Sequence, residues 1–278
     1  MSLSIFSNVP SLDAQRHLSR TQSALSSNLG RLSSGLRINA AGDDAAGLAI
    51  SEKLRSQIRS MAQAERNSND GVSLLQTAEG AMNEVSGMLT RMRELAVQSS
   101  NATVGTTERG FIQQEYTALR DEITRIANVT EFNGTKLTDG TATALRFQVG
   151  ISNGANDAIT VAVADMRATA LGSTSFIQTQ TLATVTGAQA ALGVIDAAIS
   201  DVSAARATIG SVQNRLQVTV ANLAASRENL SAADSRIRDV DVAEETAAMT
   251  RHNILLQAGV SVLAQANQLP SLALQLLR

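Results

Sequence analysis

Gly150, Ile151, Ser152, Asn153 and Gly154 match G-x-S-x-G, the pattern in which a serine on a sharp turn serves as a nucleophile. That chemistry requires a strand entering the turn, a helix leaving it and a histidine base further along the chain. Here the residues that follow, Ala158 to Val163, alternate as a strand does, so the segment reads as the loop of a β-hairpin. The histidine downstream, His252, stands on a helical tail, where an imidazole in solvent or at an interface is the simpler reading. Asp43 and Asp44 are adjacent carboxylates, but they precede an Ala-rich helix whose positive dipole end favours acids, which makes them caps. Asn101-Ala-Thr103, Asn128-Val-Thr130 and Asn133-Gly-Thr135 fit the glycosylation sequon, a match that a Ser- and Thr-rich chain produces freely. No phosphate-binding glycine loop, H-E-x-x-H motif or calcium loop occurs, and 2 His with 0 Cys are poor material for a transition-metal site. No catalytic, cofactor-binding or metal constellation is assigned, and the chain is read as a non-enzyme that needs no cofactor.

With no chemistry to position, the elements themselves become the message. Hydrophobic residues make up 44% of the chain but aromatic ones only 2%, so a core must be built from Ala, Leu, Ile, Val and Met, as in helix bundles. Only 2 Pro occur, Pro10 and Pro270, near the two ends, which leaves long helices uninterrupted between them. A net charge of -2 gives no footprint for gripping nucleic acid. The first residues carry neither a basic stretch nor a long apolar run, so no secretory signal peptide is expected, and a chain that leaves the cell does so by another route.

Ile195, Val202, Ile209, Leu216, Leu223, Leu230 and Ile237 stand seven residues apart, and the positions three further on are mostly small, as a seam for a close partner helix requires. The stripe would run roughly 64 Å at the helical rise, whereas a compact ball of this chain would be about 50 Å across; an elongated rod is expected. Leu75, Ala78, Met82, Val85, Leu89, Met92 and Ala96 alternate three and four apart, and Ile112, Tyr116, Leu119, Ile123 and Ile126 repeat the pattern after a break. Helices are expected at about 44–99, 106–128 and 190–238. Leu18, Leu25, Leu29, Leu32 and Leu36 form a further stripe that ends at a turn near Gly35. Gly71, Gly80 and Gly87, costly inside a helix, suggest close helix contacts. Between about 132 and 165 the period falls to two, with Leu145, Phe147 and Val149 and then Ile159, Val161 and Val163 forming a hairpin. Residues 168–189 have weak periodicity and read as irregular.

The fold class is therefore mainly α: an antiparallel helical rod or coiled-coil bundle with a small β-hairpin region. Residues 252–277 carry no charged side chain, so a membrane span is their first rival reading, but interspersed Asn and Gln and Pro270 are costly in hydrocarbon. Burial among identical helices suits them better. Alone, both ends should be unordered and should fold on assembly.

Two stretches are more specific: RLSSGLRINAAGDDAAGLAIS, from Arg31 to Ser51, and RMRELAVQSSN, from Arg91 to Asn101. With NSNDGVSLLQTAEGAMNEV, FNGTKL and the tail AGVSVLAQANQLPSLALQLLR, the chain resembles bacterial flagellin over both ends and most of its length. The resemblance implies a subunit that polymerises with copies of itself into the flagellar filament for swimming. It also implies export through the flagellar type III apparatus, assembly beneath a filament cap beside hook-associated proteins, and an extracellular location. A secretion chaperone would cover the C-terminal tail. The resemblance implies paired N- and C-terminal helices, with residues 1–42 and 240–278 as the two parts of one inner-tube helical domain and residues 43–239 as a rod domain outside it. The tube would be formed through Leu18, Leu25, Leu29, Leu32, Leu36, Leu255, Val262, Leu263, Leu269 and Leu276. The rod core would rest on Leu75, Met82, Val85, Leu89, Met92, Ile209, Leu216, Leu223 and Leu230. Larger flagellins carry outer domains that this chain lacks. Flagellin-sensing Toll-like receptors contact the region matching Arg91, Leu95 and Glu115, with Thr90 where recognised members usually have Gln; without a receptor these are ordinary solvated or intersubunit positions. The hairpin at about 145–163 resembles the segment linked to switching between filament forms. Alternatives are the hook–filament junction protein and, in another class, an intracellular coiled-coil scaffold.

Overall fold

A computed structural model describes residues 7–172 and 175–276, with side chains described as far as Gln268. The helices are α1 (Val9–Ser34), α2 (Ala45–Ser99), α3 (Thr106–Val129), α4 (Val185–Arg238) and α5 (Val242–Leu276). Between α3 and α4 lie strands β1 (Glu131–Phe132), β2 (Thr135–Lys136), β3 (Leu145–Gln148) and β4 (Ala158–Val161). The chain divides into a terminal unit, residues 1–58 with 228–278, and a central unit, residues 59–227. These divisions fall inside α2 and α4. Near the boundaries expected at 42/43 and 239/240 the helices are interrupted, between Ser34 and Ala45 and between Arg238 and Val242.

In the central unit the heptad logic is carried out. Leu75, Ala78, Met82, Val85, Leu89, Met92 and Ala96 are fully buried, as are Tyr116, Ile123 and Ala127 of α3 and Ile195, Ala198, Val202, Ile209 and Leu216 of α4. Three amphipathic helices thus close one aliphatic core, the arrangement in which each stripe finds the partner it lacks alone. The α4 stripe, however, is fully covered only as far as Leu216: Leu223 is half-buried, and so is Leu230 in the terminal unit. The expected rod core is corrected to that extent.

The hairpin region holds two hairpins rather than one. β3 pairs antiparallel with β4, Phe147 opposite Ile159, as expected. β1 and β2 pair through a two-residue turn with φ of 48° at Asn133 and 78° at Gly134. Positive φ at both turn positions is what Asn-Gly tolerates and what the strand twist demands. Gly71 meets a strand side chain rather than a helix: a Cβ there would lie 3.0 Å from the Phe147 ring. Gly80 and Gly87 have nothing within 4 Å of that position, so their expected close contacts are not made within the described chain.

Residues 168–172 and 175–184 hold no α-helix, only a short 3-10 turn at Ile177–Thr179, yet they contribute to the core. Leu171, Ile177 and Leu182 are buried, the Tyr116 hydroxyl donates to the Ile177 carbonyl at 3.2 Å, and the Ser99 hydroxyl donates to the Leu182 carbonyl at 2.5 Å. Single apolar residues here drop into separate gaps, which leaves no period to read. Helix α4 also begins before the expected 190, because the Thr184 hydroxyl accepts from the Gly187 N–H at 3.1 Å and caps it.

In the terminal unit α1 packs on α5. Asn8 caps α1 through its side chain, and Gly35, at φ 72°, ends it. The connectors on either side meet in a β-bridge between Leu36 and Asp239, supported by the Arg37 N–H to the Arg238 carbonyl at 2.7 Å. Asp44 accepts from the Gly47 N–H at 2.8 Å and caps α2. Asp43 does not cap that helix; its carboxylate closes the preceding turn, accepting from the N–H groups of Asn39 and Ala40 at 3.0 Å each.

Candidate assembly surface

The terminal helices, expected to be unordered alone, are helical over Val9–Ser34 and Val242–Leu276, because each lends the other part of its cover. They run antiparallel. The Asn8 amide donates to the Ala266 carbonyl at 2.9 Å, and Ser11 donates to the Asn267 amide oxygen at 2.7 Å. Further along, Leu18 lies 3.1 Å from where a Gly259 Cβ would stand, and Arg31 approaches Glu245 at 3.9 Å.

The buried side of this pair is the unusual one. In the terminal unit the described residues classed as buried are Ser11, Asn28, Ile38, Gly47, Ser51, Glu245 and Ala266. Ile38 is the single large apolar side chain among them. Meanwhile Val9, Leu12 and Leu29 of α1 and Ile254, Leu255, Val260 and Val262 of α5 are each about half exposed or more. The buried positions are nearly all small or polar, leucines such as Leu18 and Leu25 are covered only in part, and a further set of aliphatic groups faces out, unlike a self-sufficient helix pair. Of the tail positions expected to polymerise, Leu18, Leu25, Leu32, Leu36 and Leu263 are half-buried, while Leu29, Leu255 and Val262 are exposed. The side chains of Leu269 and Leu276 lie outside the described residues. The sequence reading missed Val9, Leu12, Ile254 and Val260, which a count of apolar positions around the whole helix would have found.

Charged residues tie the helices at wide spacing. In the central unit, Arg93 of α2 binds Asp196 of α4 at 2.6 Å, Glu79 accepts from Gln213 at 3.1 Å, and Glu65 binds Arg227 at 2.8 Å. In the terminal unit Glu52 accepts from Arg238 at 3.0 Å, the main reason its carboxyl is held below the ordinary range. Asp43 is likewise held low, by the Ala40 N–H first and then the Asn39 N–H.

At the region matched to an innate receptor, Arg91 binds Glu94 at 2.9 Å and Glu115 at 2.8 Å, and all three are exposed. Leu95 is corrected: it is 1% exposed, since it faces the central core, and offers no surface to a partner. Arg109, not singled out from sequence, is buried and donates to the carbonyls of Ser99 and Asn101 at 2.9 Å each, closing the end of α2.

The G-x-S-x-G segment is a hairpin loop. Its Ser152 and Gly154 N–H groups donate to the Asp157 carboxylate at 3.3 and 3.1 Å, and β4 follows rather than a long helix. His252 belongs to the other unit. Among the described residues no group of three or more His, Asp or Glu is placed to hold a metal ion. One described helix, α4, is long and apolar enough by length and composition to cross a membrane, and one stripe of it, Ile195, Val202, Ile209 and Leu216, lines the aliphatic core.

Comparison with known proteins gives two matches to family models: bacterial flagellin N-terminal helical region over residues 5–143, and bacterial flagellin C-terminal helical region over residues 192–277. Flagellin of Bacillus subtilis (strain 168) is 48% identical, with 98% of each chain covered. Flagellin of Halalkalibacterium halodurans is also 48% identical, again with 98% of each chain covered. A solved structure from Vibrio parahaemolyticus, described as that of a flagellar hook-associated protein, covers 71% of this chain and 100% of its own at a TM-score of 0.58 and 17% identity, a likeness of fold alone.

Proposed function

The chain belongs to the bacterial flagellin family and is a subunit of the flagellar filament, and from that premise we propose that its paired terminal helices form the inner tube by burying their outward aliphatic face against neighbouring copies. One observation carries this reading: in the terminal unit the buried positions are nearly all polar or small, while Val9, Leu12, Leu29, Ile254, Leu255, Val260 and Val262 are about half exposed or more. Each exposed aliphatic side chain that a neighbour covers contributes about 1 kcal/mol or more, and the contribution repeats at every subunit of a polymer.

Leu29, Leu255 and Val262 are the contacts assigned first, joined by Leu12, Ile254 and Val260. Leu18, Leu25, Leu32, Leu36 and Leu263 divide their surface between the helix pair and the neighbour. The same face would aggregate if exposed inside a cell, which supports a secretion chaperone on the C-terminal tail and passage through the flagellar type III export apparatus. A filament cap and hook-associated proteins are the partners assigned at the filament ends. The role is structural, and no catalytic activity is assigned. A Toll-like receptor that reads this region would use the exposed Arg91–Glu115 pair and not Leu95.

The test is to remove residues 253–278 and sediment the product. A soluble, helical monomer that no longer forms filaments is expected. Long filaments from the truncated chain would refute the assignment of α5 to assembly.

A further inference from the structure

The chain contains two Asn-Gly steps, Asn133-Gly134 and Asn153-Gly154, both in exposed loops. At such a step glycine puts no Cβ in the way of its own backbone nitrogen, which can reach the side-chain carbonyl carbon of the preceding Asn. The structure treats the two steps differently. The Gly154 N–H donates to the Asp157 carboxylate at 3.1 Å, and the Ser152 N–H donates to the other oxygen of that group. Gly134 lies at the tip of the β1–β2 turn, and its N–H has no acceptor among the described residues. That hairpin is held at its base by the Leu137 N–H, which donates to the Thr130 carbonyl at 3.1 Å, and above it by two residue pairs and an exposed Glu131–Lys136 contact at 2.7 Å, so the turn peptide at the tip can rotate without opening the core.

We propose that Asn133 is a site of spontaneous deamidation in the folded protein and that Asp157 protects Asn153 from the same reaction. The Gly134 nitrogen gives its proton to solvent base and attacks the Asn133 Cγ. A C–N bond forms, the bond from Cγ to the side-chain nitrogen breaks, and that nitrogen leaves with a proton as ammonia. Water then opens the cyclic imide at one of its two carbonyls, giving aspartate or isoaspartate, with no change of oxidation state. At Asn153 the nitrogen that must attack is held by an anion that disfavours loss of its proton. Freeing it costs a charge-assisted hydrogen bond, a slowing of about tenfold or more. Deamidation at Asn133 places a carboxylate two residues from Glu131. The isoaspartate product also lengthens the main chain of a two-residue turn and upsets the pairing of Phe132 with Thr135.

The full chain is incubated at mildly alkaline pH, native and in denaturant, and digested with trypsin. Cleavage after Arg125, Lys136, Arg146 and Arg167 isolates residues 126–136 and 147–167, each with one Asn-Gly step. Mass spectrometry with fragmentation then follows amide-to-acid conversion at each Asn. Expected are conversion at Asn133 about tenfold or more faster than at Asn153 in the native chain and similar rates in the denatured one. Asp157→Ala should raise the Asn153 rate and leave Asn133 unchanged. A native chain that reacts at neither step, or no faster at Asn133 than at Asn153, overturns the proposal. So does an Asp157→Ala chain in which Asn153 stays protected.

Discussion

Leu216 and Leu230 occupy the same register of one heptad stripe and are the same residue, yet Leu216 is 0% exposed while Leu230 is half-buried. Truncating each to Ala therefore separates what the subunit buries by itself from what it leaves to its neighbours. Leu216→Ala opens a cavity in a closed aliphatic core and should destabilise the monomer by about 3–5 kcal/mol, a loss of about a hundredfold to a few thousandfold in the folding equilibrium. Leu230→Ala removes a side chain that is still partly in water, so the monomer should lose less, about 1–2 kcal/mol. In the filament the order reverses, because the uncovered part of Leu230 is what a neighbour would bury. A loss of about 0.5–1 kcal/mol per subunit contact corresponds to a critical concentration raised about twofold to fivefold. Urea unfolding of monomers followed by far-UV circular dichroism gives the first quantity, and sedimentation of seeded filaments at graded concentrations gives the second. Equal costs in the monomer would mean that the stripe is covered uniformly within one chain. A Leu230→Ala protein that polymerises at the wild-type critical concentration would show that the exposed end of the stripe is not an assembly surface.

Gly71→Ala should fall short of Gly80→Ala in stability by about 1 kcal/mol or more in the same urea titration, because both gain helix propensity but only the Gly71 Cβ would press on the Phe147 ring 3.0 Å away; Phe147→Leu should narrow that difference. Arg109→Met leaves the Ser99 and Asn101 carbonyls without their donor, at a cost of about 1–3 kcal/mol, read as a lower thermal midpoint. The Asp43 carboxyl is held below its ordinary value of 3.8 by the Ala40 and Asn39 N–H groups, so its contribution is present above that value and disappears as pH falls through the lower folded one. Asp43→Asn should accordingly melt below wild type at neutral pH, with the two midpoints converging in acid; a gap independent of pH would refute the assignment.

Legibility in the sequence followed periodicity. Leu75, Met82, Val85, Leu89 and Met92 could be assigned to a core because a helix repeats its buried face every three to four residues, and each of them is fully buried. The β3–β4 pairing was readable from its period of two, and Asp44 from its place before an Ala-rich run. The Asn133-Gly134 hairpin carried a two-residue turn signal but too few flanking residues to show alternation. Leu171, Ile177 and Leu182 were illegible because a loop that plugs a bundle has no repeat.

At the candidate assembly surface the sequence located the apolar positions but not their direction. Leu95 and Arg91 lie four residues apart in one helix, yet one faces the core and the other solvent, a difference that follows from where α3 packs. In the same way Leu25 and Leu29 look equivalent until α5 is laid against α1 and covers one more than the other.

Length, aliphatic composition and the heptad stripes by themselves determined a helical, self-associating chain, because backbone geometry fixes which side chains share a face. Which faces are closed within the chain and which stay open was decided only by the tertiary structure, since burial depends on residues far apart in sequence. The buried Ser11, Asn28 and Glu245, with Leu12, Leu29 and Leu255 left exposed, are set only once the two ends of the chain are brought together.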